Sequence, residues 1–333
     1  MQLTKNLLVF DGNSLCYVAH HGHEEVLGVD GEPVHAISGA LALMCQFIEK
    51  HPKHTPLVLW DCDESNWRKD IYPAYKAQRT ENEEQRQARA QIARQRVHLR
   101  QALTHCDILQ MHRPRYEADD LAFEICNAAL FDKVVLVSAD TDWLQLLTDS
   151  VSWQNCRSPY DHIGSTEQLL AKTKASSGLQ YIEAKILAGD ASDNLPGLPD
   201  IGPVRALSLI EQFGSASAMA LDVQALVSAK QKCFRELASN PDETQATVAR
   251  NFQLMSLSQA PEPQIDAAFV LGQMCEFSLG CLLDEVGLST QARNTAYYAR
   301  HLERQADELA ALVRQLTRRY PELNMQCALE PTV

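Results

Sequence analysis

Three runs of apolar residues, each ending on an aspartate, constrain this chain most. Leu7-Leu8-Val9-Phe10 runs into Asp11, Leu57-Val58-Leu59-Trp60 into Asp61, and Val134-Val135-Leu136-Val137-Ser138-Ala139 into Asp140. Short continuous runs of this kind read as strands buried on both faces of a parallel sheet. The carboxyl ends of such strands line the ligand crevice of an open sheet, so the three acids converge there. Six more acids stand at strand ends or helix starts: Glu117, Asp119, Asp120, Asp142, Asp190 and Asp193. Converged carboxylates repel one another and lose hydration, a state tolerated only if they protonate or bind cations. Hard oxygen donors in such number suit Mg2+ or Mn2+.

The first half of the chain alternates strand and helix. Strand Asn6–Phe10 precedes a helical stretch, Ala36–Lys50, with Ile37, Leu41, Met44, Cys45 and Ile48 on one face. Strand Leu57–Trp60, a polar helical stretch around Glu83–Leu103, a strand near Ile108–Met111, helix Ala118–Leu130 and strand Val134–Ala139 follow. The expected class is α/β, with a mostly parallel central sheet flanked by helices. From about Tyr181 the pattern turns helical, and the polar stretch Ala171–Gly178 is the expected boundary. Three regions result: a core over 1–175, with an arch at about 66–105, a helical region over 176–260, and a helical extension over 261–333.

Singly, each acidic motif has an ordinary structural reading. Glu117-Ala118-Asp119-Asp120 could be plain helix N-terminal acid, favoured by the dipole. Gly189-Asp190-Ala191-Ser192-Asp193-Asn194 could be a capped turn. Asp140-Thr141-Asp142 at the end of a buried strand is harder to explain structurally. After these acids, Leu195-Pro196-Gly197-Leu198-Pro199-Asp200-Ile201-Gly202-Pro203 leads into a helix with Pro203 in its first turn and Gly214 past its end. A helix-hairpin-helix turn of this kind offers backbone N–H groups to a phosphate through Gly197, Ile201 and Gly202, with Arg205 close by. An ordinary αα-hairpin fits the turn alone equally well.

Asn66-Trp67-Arg68-Lys69-Asp70-Ile71-Tyr72-Pro73-Ala74-Tyr75-Lys76-Ala77-Gln78-Arg79 interleaves cations with aromatics. Cations on phosphates and rings on unpaired bases make a single-strand binding pattern, with Arg68, Tyr72 and Tyr75 as the expected DNA contacts. The later arginines, Arg86 to Arg100, fit a solvated helix face as well.

Composition narrows the classes. No run of about 18 apolar residues is present, so no membrane span is expected. No charged leader precedes an apolar stretch, and the 10 cysteines are scattered without a CxxC pair, which fits reduced thiols in a cytoplasmic protein. The formal charge of −13 argues at first sight against nucleic acid, yet the nine candidate ligands account for most of it. Asp11-Gly12-Asn13 lacks the second aspartate that a phospho-aspartate phosphatase would need.

Together these residues resemble the structure-specific 5′ nucleases: flap endonucleases, the N-terminal nuclease domain of bacterial DNA polymerase I and stand-alone phage 5′–3′ exonucleases. The resemblance runs from about Leu7 to Met255. It rests on Phe10-Asp11-Gly12-Asn13, Gly31-Glu32-Pro33-Val34-His35-Ala36 with Gly39, Trp60-Asp61, Tyr75-Lys76, and the three acidic motifs above. It implies a PIN-like core with a two-metal site, an arch above it, and a hairpin on duplex DNA assisted by K+. Asp11, Asp61, Glu117 and Asp119 would serve one ion, and Asp142, Asp190 and Asp193 the other, with Asp120 and Asp140 shared or acting through water. Lys76 resembles the arch lysine that neutralises the scissile phosphate, and Arg79 its basic neighbour. The position after Gly202-Pro203, usually basic in the family, is Val204. Implied substrates are DNA 5′ flaps, nicked or gapped duplexes and free 5′ ends, cut by a monomer in a bacterial or phage-infected cell. Two rivals stay open: a PIN-like ribonuclease and a non-catalytic junction-binding protein. The C-terminal stretch Thr295–Tyr320, apolar on one face, would either pack on the chain's own core or dock a replication protein.

Overall fold

The structure is a computed structural model that describes residues 6–62, 65–77, 82–128, 131–158, 160–261, 268–271, 276–302 and 324–327. The first half contains β1 (Asn6–Asp11), α1 (Gly12–Gly22), α2 (His35–Lys50), β2 (Thr55–Leu59), α3 (Trp67–Ile71), α4 (Glu83–His105), β3 (Leu109–His112), α5 (Ala118–Asn127), β4 (Lys133–Val137), β5 (Val151–Gln154) and β6 (His162–Ile163). A helical region follows: α6 (Thr166–Thr173), α7 (Gly178–Ala188), the short strands β7 (Gly189–Asp190) and β8 (Leu195–Pro196), α8 (Pro203–Phe213), α9 (Ala216–Leu221), α10 (Lys232–Ser239) and α11 (Pro241–Met255). The chain then returns to the sheet with β9 (Ala268–Leu271), α12 (Glu276–Glu285), α13 (Ser289–Ala292), α14 (Thr295–Leu302) and β10 (Asn324–Cys327). No helix among the described residues is long and apolar enough to cross a membrane.

The main sheet has the order β10-β9-β3-β2-β1-β4-β5-β6. Strands β3, β2, β1, β4 and β5 are mutually parallel; β9 runs antiparallel to β3, and β6 to β5. The apolar runs are continuous because alternate side chains enter two different cores. Leu8, Phe10, Val58, Val135 and Val137 face α1, α2 and α4, while Leu7, Val9, Leu57, Leu59 and Leu136 face α5. Burying each such side chain stabilises the fold by roughly 1.5–3 kcal/mol. β2 and β4 flank β1, so the chain winds one way to β3 and then crosses back; the switch point lies at the ends of β1 and β4. Asp11 and Asp140 stand there.

Helix α4 anchors only its second half, through Gln95, Leu99, Ala102 and Leu103. Gln95 also supplies a missing cap. Val34 precedes α2 with no capping side chain, and the buried Gln95 Oε1 accepts from Ala36 N–H at 2.7 Å. The first half of α4 is largely exposed and carries Arg86, Arg89 and Arg94.

Several boundaries differ from the sequence expectation. The fourth strand stops at Val137 rather than Ala139, because Ser138 Oγ donates to Asp11 Oδ2 at 2.7 Å and accepts from Asp140 N–H at 2.9 Å. These bonds turn the chain out of the ladder. The C-terminal extension is not purely helical: it adds β9 and β10 to the sheet edge, and Leu279, Leu283, Tyr298 and Leu302 join the core beside α2 and α4. The expected helix is described over Thr295–Leu302, where it packs on the chain's own core; its remainder to Tyr320 lies outside the described residues.

Candidate metal centre and nucleic-acid interface

Asp11, Asp61, Asp119 and Asp140 line one cavity of about 590 Å³ at the carboxyl ends of the strands. Asp11 is fixed by Ser14 N–H at 2.9 Å, Ser14 Oγ at 2.6 Å and Ser138 Oγ at 2.7 Å. Asp61 accepts from Ala118 N–H at 2.8 Å, at the start of α5, and from the amide of Asn13. Asp119 accepts from Trp143 Nε1 at 2.6 Å. No lysine or arginine is seen in an ion pair with these four acids among the described residues. Burial, then the charges of Glu117 and Asp11, push Asp61 up to about 6. Burial and Asp140 raise Asp119, and burial and Asp142 raise Asp140. Such carboxylates keep their charge at neutral pH most readily around a cation.

The second group lies toward the helical region. Asp142, Asp190 and Asp193 bring one carboxylate oxygen each within 4.8 Å of one another. Lys185, on α7, pairs with Asp142 and reaches Asp190 Oδ2 at 2.7 Å. Burial opposes the ammonium charge, but the two carboxylates outweigh it and raise the lysine above its ordinary value. Asp190, despite its burial, is held down at about 2 by Lys185 and by Ser192. Lys185 was not singled out in the sequence, where Ile182-Glu183-Ala184-Lys185-Ile186-Leu187 gives it no distinguishing pattern.

Between the groups lies Glu117, which accepts from Lys76 Nζ at 2.5 Å, Asn66 Nδ2 at 2.9 Å and Tyr75 Oη at 3.0 Å. Burial works against its charge, but Lys76 and Arg68 prevail and hold it well below the usual carboxylate range. Lys76 lines the cavity. Its backbone is left-handed, φ 56°, a conformation kept by its N–H bond to Asp193 O at 2.9 Å. Asn194 Nδ2 adds a bond to Ala74 O at 2.8 Å, tying the Lys76 loop to the second acid group.

Three expectations need correction. Asp120 is fully buried, and Arg68 grips both its oxygens at 2.7 and 2.9 Å, which removes it from the set able to hold an ion. Arg68 is itself buried and also bonds Leu254 O, so it does not reach DNA. Tyr75 is buried with its hydroxyl between Glu117 and Asp193, each at 3.0 Å, where it orients acids and stacks on no base. In the hairpin, a Cβ at Gly197 would meet Ala188 at 2.2 Å and the Ile201 side chain belongs to the core, neither of which bears on the backbone contacts expected of the two. Tyr72 is half-buried under the Arg250 guanidinium, 5.2 Å from its ring centre. Gly202 does face open space at the start of α8, and Arg205 is exposed, bonded to Asp200 O at 2.5 Å. Arg79 lies outside the described residues.

Similar architecture occurs in solved structures. A structure of the bacteriophage T5 D15 protein with metal ions superimposes with a TM-score of 0.64 at 22% identity, over 90% of this chain and 100% of that one. The catalytic core of Rad2 in complex with DNA substrate gives 0.55 at 15% identity, over 91% and 93%. Among curated proteins, DNA polymerase I of Thermus thermophilus is 28% identical over 211 residues and that of Bacillus subtilis 29% over 215. Each match covers 63% of this chain and 24% of the relative, so the chain spans about a quarter of the length of these relatives. The profile of the 5′–3′ exonuclease N-terminal resolvase-like domain matches residues 6–175, and that of its C-terminal SAM fold residues 177–267. With the acids converged at the switch point and both profiles matched in order, the chain belongs to the 5′–3′ exonuclease family.

Proposed function

We propose that the protein is a divalent-metal-dependent 5′–3′ exonuclease and flap endonuclease, hydrolysing DNA phosphodiesters at free 5′ ends and single-strand/double-strand junctions in replication and repair. The observation that carries this reading is the sharing of one cavity by Asp11, Asp61, Asp119 and Asp140 with Lys76, Arg89 and Arg96. Acids that form no ion pair among the described residues fit a bound divalent ion, and cations facing them fit a phosphate. Asp11, Asp61, Asp119 and Asp140 would hold or position one Mg2+ or Mn2+; Asp142, Asp190 and Asp193 would hold the second. When bound, two such ions supply a water of lowered pKa and a clamp on the attacking and leaving oxygens.

The remaining roles belong to the chain's own groups. Asn13 holds Asp61 in place and is itself held by Arg96, 3.2 Å away. Tyr75 and Asn66 orient Glu117, and Lys76 brings a positive charge to the scissile phosphate. The open Gly202 lets a duplex phosphate approach the backbone of the turn, with K+ as the bridging cation. The three sequence regions become functional units in this reading: a nuclease core, a duplex-gripping hairpin, and an extension packed against the arch helix. A cytoplasmic, monomeric enzyme acting on flaps, nicks and gaps fits them, and a replication protein remains the candidate partner for the C-terminal stretch.

Single-turnover cleavage of matched DNA and RNA 5′ flaps and nicked duplexes, with and without Mg2+, tests the proposal. The expected result is Mg2+-dependent release of short 5′ fragments from DNA. Cleavage of RNA alone would favour the ribonuclease reading, and binding without cleavage a scaffolding role.

A further inference from the structure

One cation on the cavity wall has no part in that mechanism. Arg157 lies three residues beyond β5 and lines the same cavity as Asp11 and Asp140. Strand β5 pairs with β4 up to Val137 and Gln154, and Ser138 N–H donates to Gln154 O at 3.2 Å. The chain leaving β5 therefore runs beside the segment that bears Asp140. Cys156 is buried, and Arg157 N–H donates to Asn155 Oδ1 at 2.9 Å, so the backbone beneath this side chain is fixed.

The guanidinium of Arg157 lies over the ring of Tyr17, 5.4 Å from its centre, and Tyr17 packs on His21 at 4.4 Å. Lys76 is tied to Glu117 and Arg96 to Asn13. Arg157 makes no ion pair among the described residues. A guanidinium laid on an aromatic face is pre-organised and weakly hydrated, and its N–H fork stays available to an oxyanion.

Position decides which phosphate this is. The second acid group leads through Asn194 and Leu195 directly into the hairpin, so a duplex gripped at Gly202 approaches from that side. Arg157 borders the first acid group instead. For an enzyme that retains the duplex and removes the 5′ nucleotides, this far side receives the chain 5′ of the cut. We propose that Arg157, held over Tyr17, seats the phosphate one nucleotide to the 5′ side of the scissile bond, and that the protein thereby distinguishes 5′-phosphorylated from 5′-hydroxyl ends. The inference rests on the 5′ nuclease reading above. On a nicked end whose first nucleotide is released, that phosphate is the terminal one; on a flap it is an internal diester.

The test compares nicked duplexes ending in 5′-phosphate or 5′-hydroxyl, together with a long flap bearing either end. Dissociation constants are measured in Ca2+ and single-turnover rates in Mg2+, for wild type, Arg157→Ala, Arg157→Lys and Tyr17→Leu, with circular dichroism as the folding control. Wild type should bind the phosphorylated nick about tenfold more tightly than the hydroxyl one, as one charge-assisted contact allows. Arg157→Ala should abolish that difference, Arg157→Lys should keep part of it, and Tyr17→Leu should reduce it. On the flap, the distant terminal group should not matter, while Arg157→Ala should still weaken binding. Indifference of wild type to the nick's end group, or equal losses on both nicks in Arg157→Ala, would overturn the seat. Cleavage without any end preference would sink the seat alone. A preference in Ca2+ with no cleavage in Mg2+ would sink the nuclease reading, and with it the link to a scissile bond, and leave only the 5′-phosphate contact of Arg157.

Discussion

The two acid groups differ in what balances their charge. Asp142 and Asp190 already hold an ammonium, that of Lys185. Asp11, Asp61, Asp119 and Asp140 are fixed by hydroxyls, amides and backbone N–H groups, which orient carboxylates without neutralising them. The acids of the first group shift upward where a shift is resolved, while Asp190 in the second shifts downward. A divalent ion entering the first group relieves a cost already present. In the two-ion reading proposed above, an ion entering the second would have to compete with Lys185. The first site is therefore expected, in that reading, to be the tighter one.

The strongest break of this contrast is Asp119→Asn. Removing one charge from the group that forms no ion pair among the described residues should lower the single-turnover rate at least about 10³-fold, since a catalytic ion stabilises the transition state by several kcal/mol. DNA affinity in Ca2+, measured by gel shift, should hold within a few-fold; near-normal turnover would remove this group from the chemistry. Arg68→Leu probes an acid pair balanced wholly inside the protein. It leaves Asp120 buried and unpaired and should cost about 3–5 kcal/mol of stability in denaturant unfolding. A loss of DNA affinity in a protein of unchanged stability would instead restore Arg68 as a DNA contact.

How legible these roles are in sequence follows from the same chemistry. The first-group acids could be read because each apolar run announces a strand end. Arg68 and Tyr75 misled because cations interleaved with rings suit stacked bases and buried carboxylates alike, and only burial separates the two. Lys185, Asn13 and Ser138 carry no pattern: each acts alone, through a contact made across more than 40 residues. The strands β9 and β10 are short and return from far along the chain, so periodicity gives little sign of them.

Lys76→Ala should lower the single-turnover rate by at least about 100-fold through loss of charge at the scissile phosphate. Substrate affinity should fall much less; an effect on affinity alone would make Lys76 a simple phosphate contact. The smallest effect is expected from Lys185→Met, which removes the internal competitor of the second site. Metal affinity there should rise, and thermal unfolding should show a larger gain on adding Mn2+ than wild type does. An unchanged gain would mean that Lys185 does not compete with the ion.

Counting bound Mn2+ by electron paramagnetic resonance at neutral pH tests the contrast most directly, with wild type, Asp119→Asn and Asp190→Asn titrated side by side. Two ions of unequal affinity are expected in wild type, with the tighter one lost in Asp119→Asn and the weaker one lost in Asp190→Asn. A single class of site that survives Asp119→Asn, or loss of the tight ion in Asp190→Asn, would contradict the account.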